Sequence, residues 1–475
     1  MRQLVLLLCL ATACASPSRT SRPGAGQPGT QAGNSTTGGS TAPGEPEPTG
    51  AFARELPPLP KHRVDSPERV FTAEVEASAP PTLARNEGST RIDIPLGTGA
   101  ALACFVYERP LDAAGALLAV AKAVSEGPGV TVRRMQPTEV AVVEGAPALF
   151  FRVDYETTAP GQMKLMVSTS RELPLLCAHD EPGYARTFRR ITLDLARTLQ
   201  APGHPRASEQ GEELHVLKLD GQLAGFEWRT SRSEAPGRTR TESTTSLLLP
   251  GADGTQRAED ITTTTLTDER GHLTELRHAR AEDGALTMQV TLRREKEPAT
   301  RPPSGGAPAA PGAPTAQHEA ATRSARGDPA APGAPTAQRE AATRNARGAE
   351  PAGPEALTVP GTTYRYEGRQ GARVLKGNFT SNRGLATDDD VRLAVSRWLL
   401  PGDRPEVVLD VYRPADDVTA PLELTLRRDS SASALTLTVG ASTARARANA
   451  RGQLEWLEQV RPEGKLTSEL IHTSP

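Results

Sequence analysis

Four cysteines are the residues of this chain whose chemistry is easiest to predict from type and position. Cys9 and Cys14 lie near the N-terminus, whereas Cys104 and Cys177 each lie in an apolar run typical of a β-strand. An even pair of cysteines in the body of an exported chain predicts a disulfide. Joining them would close a long loop and stabilise the fold by about 4 kcal/mol. The alternative is two small buried thiols.

Histidine and carboxylate side chains offer a second kind of chemistry. His179, Asp180 and Glu181 are adjacent, follow an apolar run and precede a predicted helix, so we expect them to begin and cap that helix. The alternative is a hydrolase with an unrecognised active site at this turn. His272 and His278 would share one strand face, but no cysteine or second close histidine completes a metal site. No G-x-S-x-G, S-x-x-K or H-E-x-x-H motif occurs, so we predict no catalytic residue, metal or cofactor.

The N-terminal segment predicts export. Met1-Arg2-Gln3 carries one positive charge, and the apolar run Leu4–Leu10 is too short to span a bilayer, which takes about 20 residues. The following Leu10-Ala11-Thr12-Ala13-Cys14 resembles a bacterial lipobox, which implies cleavage after residue 13 and a lipid on Cys14. The alternative is ordinary secretion, with cleavage after Ala15.

The segment after Cys14 is rich in Ser, Thr, Gly and Pro. It contains too few apolar residues to offset the entropy of ordering, so residues 14–55 are predicted to be a disordered tether. Such a chain reaches on the order of 35–40 Å, which suits a domain held clear of lipid headgroups. Because residue 15 is not Asp, the lipoprotein resemblance implies the outer membrane of a Gram-negative cell.

Composition excludes several partners. The formal net charge is −2, so no strong field attracts nucleic acid. Aromatic residues make up 4% of the chain, which argues against a stacking platform for bases or sugars. The expected partners are therefore the membrane, through the lipid, and an envelope protein or an apolar ligand.

Residues 56–200 combine short strands with two amphipathic helices. The first helix is predicted from Asp112 to Gly127, and the second, after Pro182, carries a periodic apolar stripe from Tyr184 to Leu199. We expect an α+β sandwich with an antiparallel sheet and both helices on one face. The order of elements, with the His179–Tyr184 turn before a final helix, resembles envelope domains of the PsbP/Mog1 type. That resemblance implies a non-catalytic binding module.

The remainder of the chain alternates apolar and polar residues, which predicts antiparallel β-structure over 211–297 and 357–475. Over 211–297, a curved open sheet with an apolar concave face would satisfy the pattern. Asp220-Gly221 predicts a hairpin turn, and one helix is predicted over Thr387–Leu400. Asp388–Asp390 fits a helix start better than a calcium loop, which needs a different spacing.

Residues 298–356 interrupt the β-pattern with Ala, Pro, Gly and Arg, including a near-identical repeat, Pro308–Gly327 and Pro329–Gly348. Two polar copies cannot form a solenoid, so this segment is predicted to be a disordered linker. The motif R-G-x-L-x-x-L occurs at Arg270–Leu276 and at Arg451–Leu457. This repeated motif fits either two β-domains, one duplicated from the other, or one continuous sheet into which the linker is inserted.

These observations predict a lipid-anchored, non-enzymatic envelope protein that binds or scaffolds. The motivation is repeated alternating strands with one apolar face and no catalytic motif. A hydrolase acting at His179–Glu181 and a purely structural surface protein are the alternatives.

Overall fold

The computed structural model describes residues 49–169, 173–202, 211–235, 237–251, 255–295, 361–399, 406–428, 434–449 and 451–474. The described residues up to 294 and from 361 belong to one compact unit. The predicted signal peptide, the lipid site at Cys14, most of the predicted tether and the predicted linker lie outside the described residues. In the described part of the chain, no helix is long and apolar enough to cross a membrane.

The N-terminal part consists of a strand pair and a seven-stranded antiparallel sheet, here called the N-terminal sheet. The pair is β1 (Lys61–Asp65) and β2 (Thr72–Glu76). The N-terminal sheet has the order β3-β4-β5-β9-β8-β7-β6. Its strands are β3 (Thr82–Asn86), β4 (Ser89–Ile94), β5 (Leu102–Tyr107), β6 (Thr131–Val143), β7 (Ala146–Glu156), β8 (Pro160–Ser168) and β9 (Leu175–Asp180). The predicted antiparallel sheet is confirmed.

Two helices pack on this sheet, α1 (Ala113–Ser125) and α2 (Ala185–Thr198). Helix α2 buries Phe188, Ile191 and Leu195 in the cluster that contains Phe150 of β7. Helix α1 belongs to a different cluster, which contains the adjacent Phe151 of β7. Because successive side chains of a strand point to opposite faces, the helices lie on opposite faces of the sheet. The expectation that both would share one face is therefore wrong. Both faces of the sheet are apolar, and each is buried by one helix.

The second sheet, here called the large sheet, has fourteen strands, all antiparallel to their neighbours. Its strands are β10 (Gly211–Leu219), β11 (Gln222–Ala235), β12 (Arg238–Pro250), β13 (Gln256–Thr267), β14 (Leu273–Glu282), β15 (Ala285–Arg294), β16 (Thr362–Gln370), β17 (Arg373–Ser381), β18 (Glu406–Val411), β19 (Leu422–Arg428), β20 (Ala434–Val439), β21 (Ser442–Ala448), β22 (Leu454–Arg461) and β23 (Gly464–Ser474).

Its topology is an up-and-down meander in which the first strand pairs with the last, β10 with β23. Strands β15 and β16, which flank the long predicted linker, also pair directly, with Arg294 opposite Tyr364. Of the two arrangements that the sequence left open, the structure therefore has one continuous sheet. Only β17 and β18, among consecutive strands of this sheet, are not paired.

The gap between β17 and β18 is bridged by other contacts. The Ser381 hydroxyl donates to the Asp410 carboxylate at 2.8 Å, and the Ala386 amide donates to the Asp410 carbonyl oxygen at 2.8 Å. The rings of Phe379 and Tyr412 stack across the gap with centroids 5.4 Å apart. The large sheet is thus nearly closed on itself.

Turn residues predicted from the sequence adopt the backbone conformations that such turns require. Asp220 and Gly221 both have positive φ, 49° and 81°, in the β10–β11 hairpin. The two R-G-x-L-x-x-L motifs also form equivalent turns. Asp268 Oδ1 accepts the amides of Arg270 and His272, and Asn449 Oδ1 accepts those of Arg451 and Gln453. Both motifs therefore form a turn that leads into a strand, β14 and β22 respectively.

Helix α3 (Asp388–Leu399) lies inside the nearly closed sheet. Its Ala394 and Val395 pack with apolar side chains of β19–β21, while its Asp389 and Arg392 form ion pairs with β11 and β10. Strands so far apart in the sheet can contact one helix only if the sheet curves around it. The helix is capped reciprocally, since the Asp390 amide donates to the Thr387 hydroxyl and the Thr387 amide donates to the Asp390 carboxylate.

Candidate functional site

The inner face of the large sheet presents two unlike walls around α3, and we call the space between them the chamber. The apolar wall consists of β18–β22, where Leu424, Leu426 and Leu437 are buried with α3. Strand register places further apolar side chains on the same face, and these remain only half-buried. They are Val407, Leu409, Val411, Val439 and Leu457.

The polar wall is the part of β10–β12 where His215, Glu227 and Thr245 are successive register partners; farther along, these strands bury an apolar cluster that includes Leu217 and Leu247. The Ser243 hydroxyl donates to Glu227 at 3.5 Å. Burial, followed by the negative charge of Asp388, raises the pKa of the Glu227 carboxyl. Sequence reasoning missed this row, because isolated polar residues in alternating strands are ordinary solvent-facing residues until the sheet curls around them.

His215 is an uncharged member of the polar wall. Its Nδ1 lies 3.1 Å from the Ser468 hydroxyl on β23. Burial, followed by the nearby positive charge of Arg229, lowers the pKa of His215 to about 4, so its ring is neutral at physiological pH. His278 on β14 has a similar environment, with Thr263 Oγ1 3.1 Å from its Nδ1 and a pKa lowered by burial to about 4.

Arg229 and Arg392 carry the positive charge at the end of the polar wall. Arg229 is 9% exposed, and its Nη2 donates to Asp389 of α3 at 2.7 Å. Arg392 of α3 forms an ion pair with the buried Glu213 of β10, and burial lowers the pKa of this guanidinium to about 10. Gln453 Nε2 donates to Glu213 at 2.9 Å. The acidic start of α3 therefore pairs with arginine as well as beginning a helix.

A cavity of about 210 Å³ opens at this end of the chamber. It lies between the start of β10, the end of β23, α3 and the turn before β22. Its lining residues are Gly211, Glu212, Glu213, Arg229, Ser231, Arg392, Arg451, Gln453 and Ser474. The apolar wall begins one residue after Gln453, since Leu454 packs against the buried leucines of that wall. A polar recess and an apolar surface are therefore contiguous.

The cysteines of the body of the chain are joined. Cys104 of β5 and Cys177 of β9 are register partners and form a disulfide. Both are completely buried on the face that α2 covers. The predicted pairing is therefore present, while the predicted lipid site at Cys14 stays a prediction.

The His179–Glu181 turn is enclosed by protein. His179 is fully buried, and burial together with the charge of Lys164 lowers its pKa to about 3. Lys164, its register partner, donates to the Glu181 carbonyl oxygen, and burial lowers the pKa of Lys164 to about 8. Glu181 Oε2 accepts the Thr98 hydroxyl at 2.8 Å and lies 3.9 Å from His179 Nε2. Glu181 therefore connects the end of β9 to the loop that contains Thr98.

This turn does not cap α2, contrary to expectation. The helix begins at Ala185 after Tyr184, whose φ is 59°. Its first free amides belong to Arg186 and Thr187, and they donate to the Glu55 carboxylate at 2.8 and 2.7 Å. The cap therefore comes from the last residue of the segment that the sequence assigned to the tether. A distant capping residue leaves no signature in the local sequence.

The two histidines considered as half of a metal site do not act together. His272 lies in the turn before β14, with Nδ1 3.8 Å from Asp268, whereas His278 contacts Thr263. Among the described residues, no group of three or more His, Cys, Asp or Glu side chains is arranged to hold a metal ion.

Comparisons with known proteins leave the family open. No family model matches the chain, and no curated protein matches it. Among solved structures, the chain is similar to a β-barrel-like protein of the domain of unknown function DUF1849 from Brucella abortus. The TM-score is 0.33 and the identity 10%, over 56% of this chain and 96% of that chain. A likeness of this degree does not establish a common fold.

Proposed function

We propose that the protein is a lipid-anchored, non-enzymatic binding protein of the cell envelope, and that its chamber holds an amphiphilic ligand. The observation that carries the proposal is the pairing of an apolar wall with a polar wall inside one curved sheet. Half-buried Leu409, Val439 and Leu457 still expose apolar surface on the inner side. Covering that surface with alkyl groups would contribute about 0.8 kcal/mol per buried CH₂.

The polar wall gives such a ligand an orientation. Small-molecule sites are commonly apolar with a few fixed polar groups that select one end of the ligand. Here the fixed groups are Glu227, His215 and Arg229, held by cross-strand and helix contacts. A head placed among them and a tail along β18–β22 would satisfy both walls.

Anchoring at Cys14 would hold this chamber at a membrane, where amphiphiles are available. We also propose a location in the cell envelope, at the outer membrane, and a role in scaffolding a protein partner. The support for both is the sequence. The hydrolase alternative gains no support from the His179–Glu181 turn, because its histidine is completely enclosed.

A fluorescent apolar probe tests the chamber. N-phenyl-1-naphthylamine should bind the purified mature protein, and Leu457→Trp should weaken binding on the order of tenfold by filling the space beside the apolar wall. Val460→Trp is the matched control, since Val460 lies on the same strand but is 78% exposed. Equal probe binding by both variants, or none by the wild type, would contradict the proposal.

The anchor has a separate test. The intact mass of the mature protein from its native host should show acyl chains on Cys14. A mature chain that starts at Ser16 would contradict lipidation and leave secretion as the explanation.

A further inference from the structure

We infer that the cavity at the end of the chamber binds a carboxylate or phosphate group. As the head of an amphiphile, this anion deepens the proposed function and rests on it; as a free anion, it would be a site in its own right. The inference comes from the charges around the cavity and from a buried donor that lacks an acceptor.

Arginines outnumber acidic residues in the lining of the cavity, by three to two. The three arginines are Arg229, Arg392 and Arg451. Glu213 pairs with Arg392, while Arg229 pairs with Asp389 and lies 3.9 Å from Asp388. Arg451 makes no ion pair within the part of the chain that the structure describes, so one cationic group is available to a ligand.

The second acidic residue of the lining, Glu212, faces away from Arg451. Successive residues of a strand alternate between faces, and Glu213 is the one that pairs with the inner helix. The Glu212 carboxylate lies against Gly145 of the β6–β7 turn, and its Oε2 is 3.8 Å from His472 Nε2. It therefore does not cancel the charge of Arg451.

Arg229 adds an unfilled hydrogen-bonding capacity. The residue is 9% exposed, and its Nε–H has no acceptor among the described residues, although its Nη2 is paired with Asp389. A buried donor without an acceptor is costly, and arginine Nε and Nη groups together match the two oxygens of a carboxylate or phosphate. The Ser231 hydroxyl on the same face of β11 also borders the cavity.

The position of the cavity defines how an amphiphile would lie. The turn that carries Arg451 leads directly into β22, where Leu454 and Leu457 join the apolar wall. An anionic head at Arg229 and Arg451 would therefore place its alkyl chain along β22 and its neighbours. A neutral head of the same chain length would gain the apolar contacts alone.

Calorimetric titration of the full-length mature protein distinguishes these cases. The probes are dodecanoate, dodecanol and inorganic phosphate. Dodecanoate should bind on the order of tenfold more tightly than dodecanol, because only its head forms charge-assisted hydrogen bonds. Arg451→Gln should reduce that ratio to near one while leaving dodecanol binding unchanged. Arg445→Gln, an exposed arginine on β21, is the control of equal charge and should leave the ratio unchanged.

Each outcome separates the two proposals. Phosphate binding that Arg451→Gln abolishes, without binding of either dodecyl compound, supports the anion site and contradicts the amphiphile chamber. Equal binding of dodecanoate and dodecanol, with no phosphate binding, overturns the anion site and leaves the chamber. A ratio that Arg445→Gln lowers as much as Arg451→Gln does also overturns the site, since overall charge would then explain it.

Discussion

Single buried polar residues connect parts of this protein that are distant in sequence. Asp260 of β13 is 5% exposed and accepts the amides of Ala114 and Gly115, at 3.1 and 2.8 Å, from the first turn of α1. The Ser246 hydroxyl of β12 donates to the same carboxylate at 2.6 Å. One side chain of the large sheet thus binds the start of a helix that also covers the N-terminal sheet.

The charge state of Asp260 gives a pH-dependent prediction. Burial raises its pKa from 3.8 to about 6, so the folded protein holds this proton at a higher pH than the unfolded chain does. Its contribution to stability is complete below about pH 4 and declines as pH rises to about 6, by up to about 3 kcal/mol. The difference in free energy of unfolding between the wild type and Asp260→Asn should therefore decrease as the pH rises from about 4 to about 6. Urea unfolding of both proteins at several pH values measures it, and a constant difference would contradict the expectation.

The disulfide gives a second prediction at the residue scale. Replacing Cys104 and Cys177 with Ala should lower the free energy of unfolding by about 4 kcal/mol, because the unfolded chain regains the freedom of a long loop. Denaturant titration of the wild type with and without reductant, beside the double variant, measures this. Reductant should destabilise only the wild type; an equal effect on the double variant would point to another cause.

At the scale of elements, the beginning of a helix here depends on a remote segment. The segment before β1 reaches α2 through Glu55, and the Leu56 amide donates to the Thr187 hydroxyl at 2.9 Å. Arg190 of α2 in turn donates to the Leu56 carbonyl oxygen at 3.3 Å. The segment that follows the predicted tether is therefore hydrogen-bonded to α2 before the first strand begins.

Removing this cap should weaken α2. Glu55→Ala should lower the free energy of unfolding by about 1–2 kcal/mol, because two helix amides and the Thr187 hydroxyl lose their acceptor. Glu74→Ala, at an exposed position on β2, is the control and should change stability by less than about 0.5 kcal/mol. Chemical unfolding compares them, and equal losses would assign the effect to general charge instead of capping.

At the scale of the whole molecule, pairing of the first and last strands makes one sheet from two stretches of sequence. Because β15 and β16 are neighbours, residues 295–361 connect two strands that a short hairpin could join. The energetic cost of a long connection grows only with the logarithm of its length. A long insertion at this place is compatible with a continuous sheet.

Shortening the connection tests that view. Replacing residues 296–360 with a four-residue turn should leave the fold intact and raise the free energy of unfolding by about 2 kcal/mol. A variant with a third copy of the 21-residue repeat should lose less than about 0.5 kcal/mol. Circular dichroism and urea unfolding measure both effects. Loss of the folded state on shortening would show that the segment is required for the sheet.

The sequence predicted elements well wherever the pattern was local. Both N-terminal helices and the hairpin at Asp220-Gly221 lie where apolar periodicity and turn residues placed them. Strand β21 has a weak sequence signal, because alanines alternate with arginines over most of its length and few β-branched residues mark it as a strand. The candidate site was missed because His215, Glu227 and Arg229 become neighbours of α3 only when the sheet curls.

By itself, the sequence determined the helices, most strands, their turns and an antiparallel β-rich fold, since these depend on periodicity and turn chemistry over a few residues. The tertiary structure decided the rest: that one sheet spans the long insertion, that the two N-terminal helices cover opposite faces, and that Glu55 caps α2. It also decided which polar residues line the chamber. Such pairings depend on strand register and long-range closure, to which residues hundreds of positions apart contribute, and no local pattern encodes them.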